Sequence, residues 1–293
     1  MDIFIQQVVT GLANGGIYAS IALALVMIYH STDHLNFAQG EMAMFSTYLA
    51  WTFVNAGFPY WVAFFATLGI SFAGGVVIER VVVRPFEDAP VLNAVIVFIG
   101  LLVIFNSLAG WIYTYDIKQF PSPFPDHPLQ VGAIYFRAHD FGAIGVTLLV
   151  LLLLWVFFRF TPLGLAMRAA AEHPVSARLV GIRVGWMLAL GWGLAALIGA
   201  VGGMMVAPVL FLDPSMMSGV LLYAFASALF GGISSPGGAV FGGFFVGVAE
   251  ALAGTYIPFI GNELKLTVAL LIIVGVLLVR PSGLFGKLTV SRV

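Results

Sequence analysis

The chain has 293 residues, a formal net charge of −1, 61% hydrophobic residues and 9% charged residues. Soluble globular domains carry about 25% charged residues, so a chain this apolar lacks the surface that water requires and must face lipid. Its balanced charge provides no basic face for nucleic acid. The absence of cysteine excludes disulfides, thiolate metal sites and cysteine nucleophiles.

Apolar segments recur along the whole chain. A helix that crosses a bilayer needs roughly 20 mostly apolar residues. The candidate spans are 5–29, 41–56, 60–79, 92–113, 141–160, 185–207, 217–233, 238–256 and 263–279. The stretches 30–40 and 231–243 leave the count open. We therefore expect an all-α, polytopic transmembrane helical bundle of eight to ten spans, with residues 1–293 forming a single domain.

Basic residues concentrate in three parts of the chain: after the third candidate span, around the segment 161–184, and in the C-terminal tail. These parts hold nine of the twelve Lys and Arg, namely Arg80, Arg84, Arg159, Arg168, Arg178, Arg183, Arg280, Lys287 and Arg292. The positive-inside rule places all three in the cytoplasm. With nine spans, the N-terminus lies outside and the C-terminus inside.

Residues 114–140 form the long segment between the fourth and fifth candidate spans. Four prolines rule out a regular helix there, namely Pro121, Pro123, Pro125 and Pro128. We expect an external loop that forms a short hairpin or a lid.

The cytoplasmic segment 161–184 contains a short predicted helix. Glu172, His173 and Pro174 are a favourable helix start, because proline is tolerated in the first turn and an acid there favours the helix dipole. Gly181 is typical of a helix end.

This predicted helix has an apolar face. Val175, Leu179 and Ile182 are spaced four and three residues apart, so they share one side of the helix, while Arg178 points elsewhere. Such a face must be covered. It suits either a helix that lies on the membrane surface or a helix that inserts into a groove of a cytoplasmic partner.

Small residues recur at four-residue spacing in three candidate spans, which lets helix backbones approach closely in lipid. The positions are Gly11 and Gly15; Gly191, Ala195, Gly199 and Gly203; and Gly238, Gly242, Gly243 and Gly247. The pattern indicates helix packing. It is also compatible with surfaces that rearrange during transport.

Polar residues near or within the apolar spans are few. They are Asn14, Tyr18, Asn36, Gln39, Glu41, Asn106 and Glu250. Such residues either tie helices together or line a pathway or gate, because polar groups in lipid are costly unless they have a partner or a function. Both interpretations stay open at this point.

The sequence does not predict catalysis or a metal site. His30 and His34 have a metal-compatible spacing, but no third ligand is nearby. Gly286 and Lys287 are not part of a phosphate-binding loop, because Leu288 follows and no glycine lies five positions before Gly286. ATP hydrolysis, if it drives this protein, must come from another chain.

Several motifs together resemble one family, the LivH-type permeases of branched-chain amino acid ABC importers. They are LNFAQGE (Leu35–Glu41), RAAAEHPVSARLVGI (Arg168–Ile182), GGISSPGGAVFGGFFVGVAE (Gly231–Glu250) and VLLVRPSGLFG (Val276–Gly286). The resemblance covers essentially the whole chain. One departure is Gln39, where the family usually has histidine.

The resemblance implies an assembly in a bacterial inner membrane. The chain would pair with a second, related permease, while two cytoplasmic ATPases bind ATP and magnesium and a periplasmic binding protein delivers branched-chain or related amino acids. The segment Glu172–Ile182 matches the family's coupling motif, which contacts the ATPase. The resemblance thus implies coupling roles for Glu172, His173, Val175, Arg178, Leu179, Gly181 and Ile182.

The two alternative functions are a secondary transporter and an intramembrane enzyme. A self-powered secondary transporter would explain the apolar, glycine-rich helices, but it would leave the coupling-like segment unexplained and would need more acids or histidines at mid-membrane. An intramembrane enzyme would need a nucleophile with a base, or a set of metal ligands, and the sequence supplies neither.

Overall fold

The computed structural model describes residues 2–32, 34–86, 89–125, 128–131, 134–261 and 263–286. Its helices are α1 (Asp2–Thr32), α2 (Gln39–Asn55), α3 (Tyr60–Ile78), α4 (Val91–Tyr113), α5 (Ala138–Phe160), α6 (Pro162–Glu172), α7 (Pro174–Leu179), α8 (Val184–Leu210), α9 (Met217–Gly231), α10 (Pro236–Tyr256) and α11 (Lys265–Val279). A π-helical turn (Glu79–Val83) and a 3-10 turn (Arg84–Phe86) continue α3. The chain is thus nearly all helical.

Each of the nine candidate spans coincides with a helix. Among the described residues, six helices are long and apolar enough to cross a membrane, namely α1, α3 with its two following turns, α4, α5, α8 and α10. The helices α2, α9 and α11 have 17, 15 and 15 residues, fewer than the roughly 20 that a spanning helix needs. The structure therefore does not confirm a count of eight to ten spans, which stays a prediction.

The chain divides into two compact units. The first comprises 1–26, 124–147 and 219–293, and the second comprises 27–123 and 148–218. The expectation of one transmembrane domain over 1–293 stays a prediction.

In the first unit, α1 and α10 approach each other through the predicted glycines. A Cβ atom added to Gly11 would lie 2.6 Å from the Cα of Val248, and one added to Gly15 would lie 2.7 Å from the Cα of Phe244. A Cβ added to Gly247 would collide with the backbone of Gly11 and Gly15. The glycine motifs of the two helices therefore pack against each other, as small residues at this spacing do in membranes.

In the second unit, α8 is the central helix and packs against α2 and α3. A Cβ added to Gly203 would collide with Thr47 and Ala43 of α2, and one added to Gly75 of α3 would lie 2.6 Å from the Trp192 carbonyl oxygen. Trp192 is fully buried in this packing. The small residues of α8 thus let two helices lie close against its backbone.

The segment 114–140 contains the predicted short hairpin. The strands β1 (Pro128–Val131) and β2 (Ile134–Arg137) pair antiparallel, with Pro128 opposite Arg137. The predicted loop is three residues too long, because α5 begins at Ala138. Nearer α4, Lys118 and Leu212 exchange two backbone hydrogen bonds of 2.9 Å, which fix this part of the loop to the chain that follows α8.

Candidate functional site

The segment 161–184 contains two helices, whereas the sequence predicts one. Thr161 caps α6, and its Oγ1 accepts a hydrogen bond of 3.0 Å from the backbone N–H of Gly164. Pro162 occupies the first turn, where its fixed φ suits a helix. This Thr–Pro pair is a helix-start signal in the sequence. The buried side of α6 consists of Gly164, Met167 and Ala170.

The helix α7 begins and ends close to the predicted positions. It starts at Pro174, and Gly181 follows its last turn with a φ of 86°, a left-handed conformation that favours glycine. The predicted role of Glu172 as an acid in the first turn of this helix is wrong, because Glu172 is the last residue of α6. His173 lies between the two helices and flanks both.

The apolar face of α7 differs from the prediction at one residue. On α7, Val175 is 70% exposed and Leu179 is 85% exposed, and Val180, directly after the helix, extends this face and is 77% exposed. Arg178 is exposed beside them. Ile182 is not part of this face, because the left-handed turn at Gly181 redirects the chain. Ile182 packs instead against a buried cluster, which consists of Ala170, Ala177, Val184 and Leu188.

This buried cluster joins α6, α7 and the start of α8. Ala177 is the buried residue of α7. Its packing fixes the helix in place and therefore fixes the position of the exposed face on the other side. Between α6 and α7 the surface forms a groove of about 430 Å³. Its lining combines charged and apolar groups and includes Arg168, Glu172, His173 and Val180.

The end of α3 is fixed to the start of α8 by an ion pair. The Arg84 guanidinium donates three hydrogen bonds of 2.9–3.2 Å to the carboxylate of Glu79, which is buried. The same guanidinium donates to the carbonyl oxygen of Gly185 in the first turn of α8. A bidentate contact of this kind fixes both the orientation of the Arg84 guanidinium and its distance from the Glu79 carboxylate.

A second contact joins the same two elements. The Arg80 guanidinium carbon lies 3.3 Å from the centroid of a Trp186 ring, a cation–π contact. Both arginines are on the π-helical turn or directly after it, and π-turns are frequent at functional sites. We refer to Glu79, Arg80, Arg84 and their partners Gly185 and Trp186 as the α3–α8 clamp.

In the first unit, two of the predicted polar residues meet. The Tyr18 hydroxyl of α1 donates a hydrogen bond of 2.7 Å to the Glu250 carboxylate of α10, and Glu250 is 5% exposed. Tyr223 of α9 stacks on Tyr18 with ring centroids 4.6 Å apart. Lys265 of α11 is a cation whose charge acts on this carboxylate.

In the second unit, two more of the predicted residues meet. The Asn106 amide of α4 donates a hydrogen bond of 2.7 Å to the carbonyl oxygen of Pro214 and contacts Glu41 Oε2 of α2 at 3.4 Å. Asp213 precedes Pro214. Neither Tyr223 nor Asp213 was predicted as a site residue, because no local pattern marks them and only helix packing places them near these polar groups.

The other predicted polar residues have separate positions. Asn36 is buried before α2, where its Oδ1 accepts a hydrogen bond of 2.9 Å from the backbone N–H of Ala38. Gln39 is buried at the start of α2 and donates a hydrogen bond of 3.1 Å to the carbonyl oxygen of Ala195 on α8. Asn14 is half-buried on α1. The contacts of Asn36 and Gln39 favour a role in tying elements together.

Comparison with known proteins places the chain in a family. The family described as "Branched-chain amino acid transport system / permease component" matches residues 7–277. The high-affinity branched-chain amino acid transport system permease protein LivH of Salmonella typhimurium is 31% identical, over 99% of this chain and 98% of that protein. The permease protein BraD of the corresponding system in Pseudomonas aeruginosa is 29% identical, over 99% and 98%.

Among solved structures, PsaBC from Streptococcus pneumoniae in complex with Fab aligns with 95% of this chain and 89% of that chain. The identity is 16% and the TM-score is 0.44, a likeness too weak to support an argument. The assignment therefore rests on the family match, which covers well over half of the residues. The chain belongs to the family of branched-chain amino acid transport system permease components.

Proposed function

We propose that the chain is the membrane-spanning subunit of an ATP-driven importer for branched-chain or related amino acids. The observation that carries this proposal is the exposed apolar face of α7, which consists of Val175, Leu179 and Val180. The buried cluster holds the opposite side of that helix and keeps the face in place. An apolar face on a short, fixed helix suits insertion into a groove of a partner protein.

The partner that fits this face is a cytoplasmic ATPase. The sequence of this chain has no phosphate-binding loop, so ATP and magnesium belong to that partner. The full assembly then comprises two ATPases, this chain with a second related permease, and a periplasmic protein that delivers the solute. Arg178 and the groove residues Glu172 and His173 supply polar contacts around the apolar face.

The contacts around α7 provide a route for motion. A rigid-body shift of α7 is passed to α8 through Ala177, which packs with Val184 and Leu188. The α3–α8 clamp then moves the end of α3 with the start of α8. Packed elements of this kind transmit discrete displacements rather than bending continuously.

The polar clusters are the proposed lining of the pathway. Glu250 with Tyr18 in the first unit, and Glu41 with the half-buried Asn106 in the second, are polar groups in otherwise apolar helices. A solute delivered by a binding protein needs only weak, successive polar contacts during passage, because a tight site would slow its release. Asn14, Asn36 and Gln39 are further candidates for this lining.

The proposed location is a bacterial inner membrane, with α7 and the C-terminus in the cytoplasm. Arg168, Arg178 and Arg183 surround α7, and Arg280 follows α11. The positive-inside rule places both groups on the cytoplasmic side.

A reconstitution experiment tests the proposal. Proteoliposomes that contain the chain with its related permease and the ATPases should accumulate radiolabelled L-leucine when ATP and the binding protein are supplied. Omission of the ATPases should abolish uptake, since this chain does not bind ATP itself. ATP-independent uptake of the same rate, driven by a proton or sodium gradient, would instead identify a secondary transporter.

A further inference from the structure

A polar cluster of the second unit combines residues of α2 and α4 with the turn that follows α8. Asn106 of α4 connects Glu41 of α2 to the backbone of Pro214, which follows α8. Asp213 is half-buried directly before Pro214, and one of its carboxylate oxygens accepts a hydrogen bond of 2.6 Å from the backbone N–H of Ser215. The cluster thus brings a helix carboxylate close to a turn that carries a second carboxylate.

The Glu41 carboxylate has too few hydrogen-bond donors for its burial. It is 5% exposed, and the 3.4 Å contact from Asn106 is the one side-chain hydrogen bond that it makes within the part of the chain that the structure describes. Its two oxygens can accept about four hydrogen bonds. Since burying a polar group without partners is costly, the arrangement favours a donor supplied by a ligand.

Tyr48 provides a second, independent sign of a binding site. It lies seven residues after Glu41, on the same side of α2. The side chain is 0% exposed, and its hydroxyl has no hydrogen-bond partner among the described residues. The ring is fixed by stacking on Tyr113, with centroids 4.5 Å apart. Glu41 and Asp213 meet at Asn106, which contacts Glu41 and the backbone of Pro214 directly after Asp213.

The backbone around Asp213 is fixed in an unusual turn. Phe211 has a φ of 65°, which residues other than glycine rarely adopt. The next residue, Leu212, pairs through its backbone with Lys118 of the loop after α4. The position of Asp213 is therefore set by the fold on both sides of the turn.

The groups in this cluster define the ligand that it suits. They are two carboxylates, a tyrosine hydroxyl, a backbone carbonyl and the donating amide of Asn106, so most of them accept hydrogen bonds and two of them carry negative charge. A primary ammonium group carries a positive charge and three donors, whereas an anion would be repelled. No group of three His, Cys, Asp or Glu suited to a metal ion occurs among the described residues.

We propose that Glu41, Asp213 and Tyr48 bind the primary ammonium group of the transported solute. This inference rests on the proposed function, because amino acids present such a group as zwitterions. The site would orient the solute as it passes. The charged amine of the solute binds here, while its aliphatic side chain contacts the surrounding apolar helices.

Calorimetric titration of the assembled importer in detergent tests this site with two probes. L-Leucinamide keeps the ammonium group and lacks the carboxylate, whereas N-acetyl-L-leucine keeps the carboxylate and lacks the ammonium group. We expect leucinamide to bind the wild-type complex and N-acetylleucine not to bind. Glu41→Gln and Asp213→Asn should each weaken leucinamide binding about tenfold, since each removes a charge-assisted hydrogen bond.

Two further variants make the test specific. Tyr48→Phe deletes only the hydroxyl that has no described partner, so packing is kept while leucinamide binding should fall about three- to tenfold. Asp116→Asn is the matched control, because Asp116 is an exposed carboxylate in the external loop whose Oδ2 accepts a hydrogen bond from Thr114. It should bind leucinamide like the wild type.

Equal binding of both probes, or unchanged leucinamide binding in all the variants, would overturn the ammonium site. Leucine uptake by the wild-type complex separates this result from a failure of the proposed function. Uptake without leucinamide binding refutes the site alone. Absence of leucine uptake refutes the proposed solute, while leucinamide binding that depends on Glu41 would still support the site.

Discussion

Glu250 is a buried carboxylate in an apolar helix, and a tyrosine holds it. Tyr18 donates a hydrogen bond of 2.7 Å to Glu250, and the ring of Tyr223 stacks on Tyr18. Satisfied polar groups of this kind either fix a helix or face a pathway. The two roles predict different results when the charge alone is removed.

We expect Glu250→Gln to reduce ATP-driven uptake about tenfold with normal amounts of inserted protein, because an amide accepts hydrogen bonds less strongly than a carboxylate. Radiolabelled leucine uptake, normalised to the protein recovered, measures this effect. Tyr223→Phe keeps the ring stack and should have a smaller effect. Unchanged uptake in Glu250→Gln would assign the residue a purely structural role.

Gly247 tests the close approach of α1 and α10. Gly247→Ala should destabilise the chain by about 1–3 kcal/mol, because the added methyl collides with the backbone of Gly11 and Gly15 and overpacked sites cost that much. Thermal unfolding of the purified protein measures the change. Gly69→Ala on α3 is the matched control, since a Cβ there has no neighbour within 4 Å. Equal melting temperatures for the two variants would refute the tight packing.

Among the helices, α3 is connected to the start of α8 by the α3–α8 clamp, a connection that the apolar composition of α3 does not indicate. Glu79 is buried and forms an ion pair with Arg84. Removing one partner of a buried ion pair costs more free energy than the intact pair contributes, because the other charge is left without a partner. The clamp lies at the start of α8, directly after the segment that carries α7. Its expected role is to pass motion of α7 to α3.

Arg84→Lys should uncouple ATP hydrolysis from transport, because a lysine cannot contact Glu79 in two places and also reach the Gly185 carbonyl. We expect hydrolysis to continue while the number of leucine molecules transported per ATP falls severalfold. Arg137→Lys alters a largely exposed pair with Asp140 and should leave this ratio unchanged. A normal ratio in Arg84→Lys would remove the clamp from the coupling route.

The positions of the helices could be predicted from the sequence more fully than the contacts between them. The nine apolar runs all became helices, because length and hydropathy are local properties. Helix α6 was missed although Thr161 and Pro162 mark its start, and Ile182 was misplaced because the turn at Gly181 breaks the helical spacing. The pairing of Tyr18 with Glu250, 232 positions apart, depends on helix packing and has no local signal.

The proposed orientation of the whole molecule in the membrane rests on the distribution of its basic residues. The chain has no native cysteine, so single cysteines can report the side of the membrane. Tyr115→Cys is in the loop that we expect to be external, where Tyr115 is exposed, and Pro281→Cys follows α11, where Pro281 is exposed. A membrane-impermeant maleimide should label only Tyr115→Cys in right-side-out vesicles. Labelling of Pro281→Cys alone would invert the proposed orientation.

We propose that this chain works as one subunit of its importer and docks the ATPases through α7. The most direct measurement is co-purification of the ATPases with Leu179→Asp. This substitution places a charge on the exposed apolar face, so it should abolish ATPase recovery while the chain still inserts. Ala177→Asp, on the buried side of the same helix, should instead lower the amount of inserted chain. Full ATPase recovery with Leu179→Asp would show that α7 is not the docking helix.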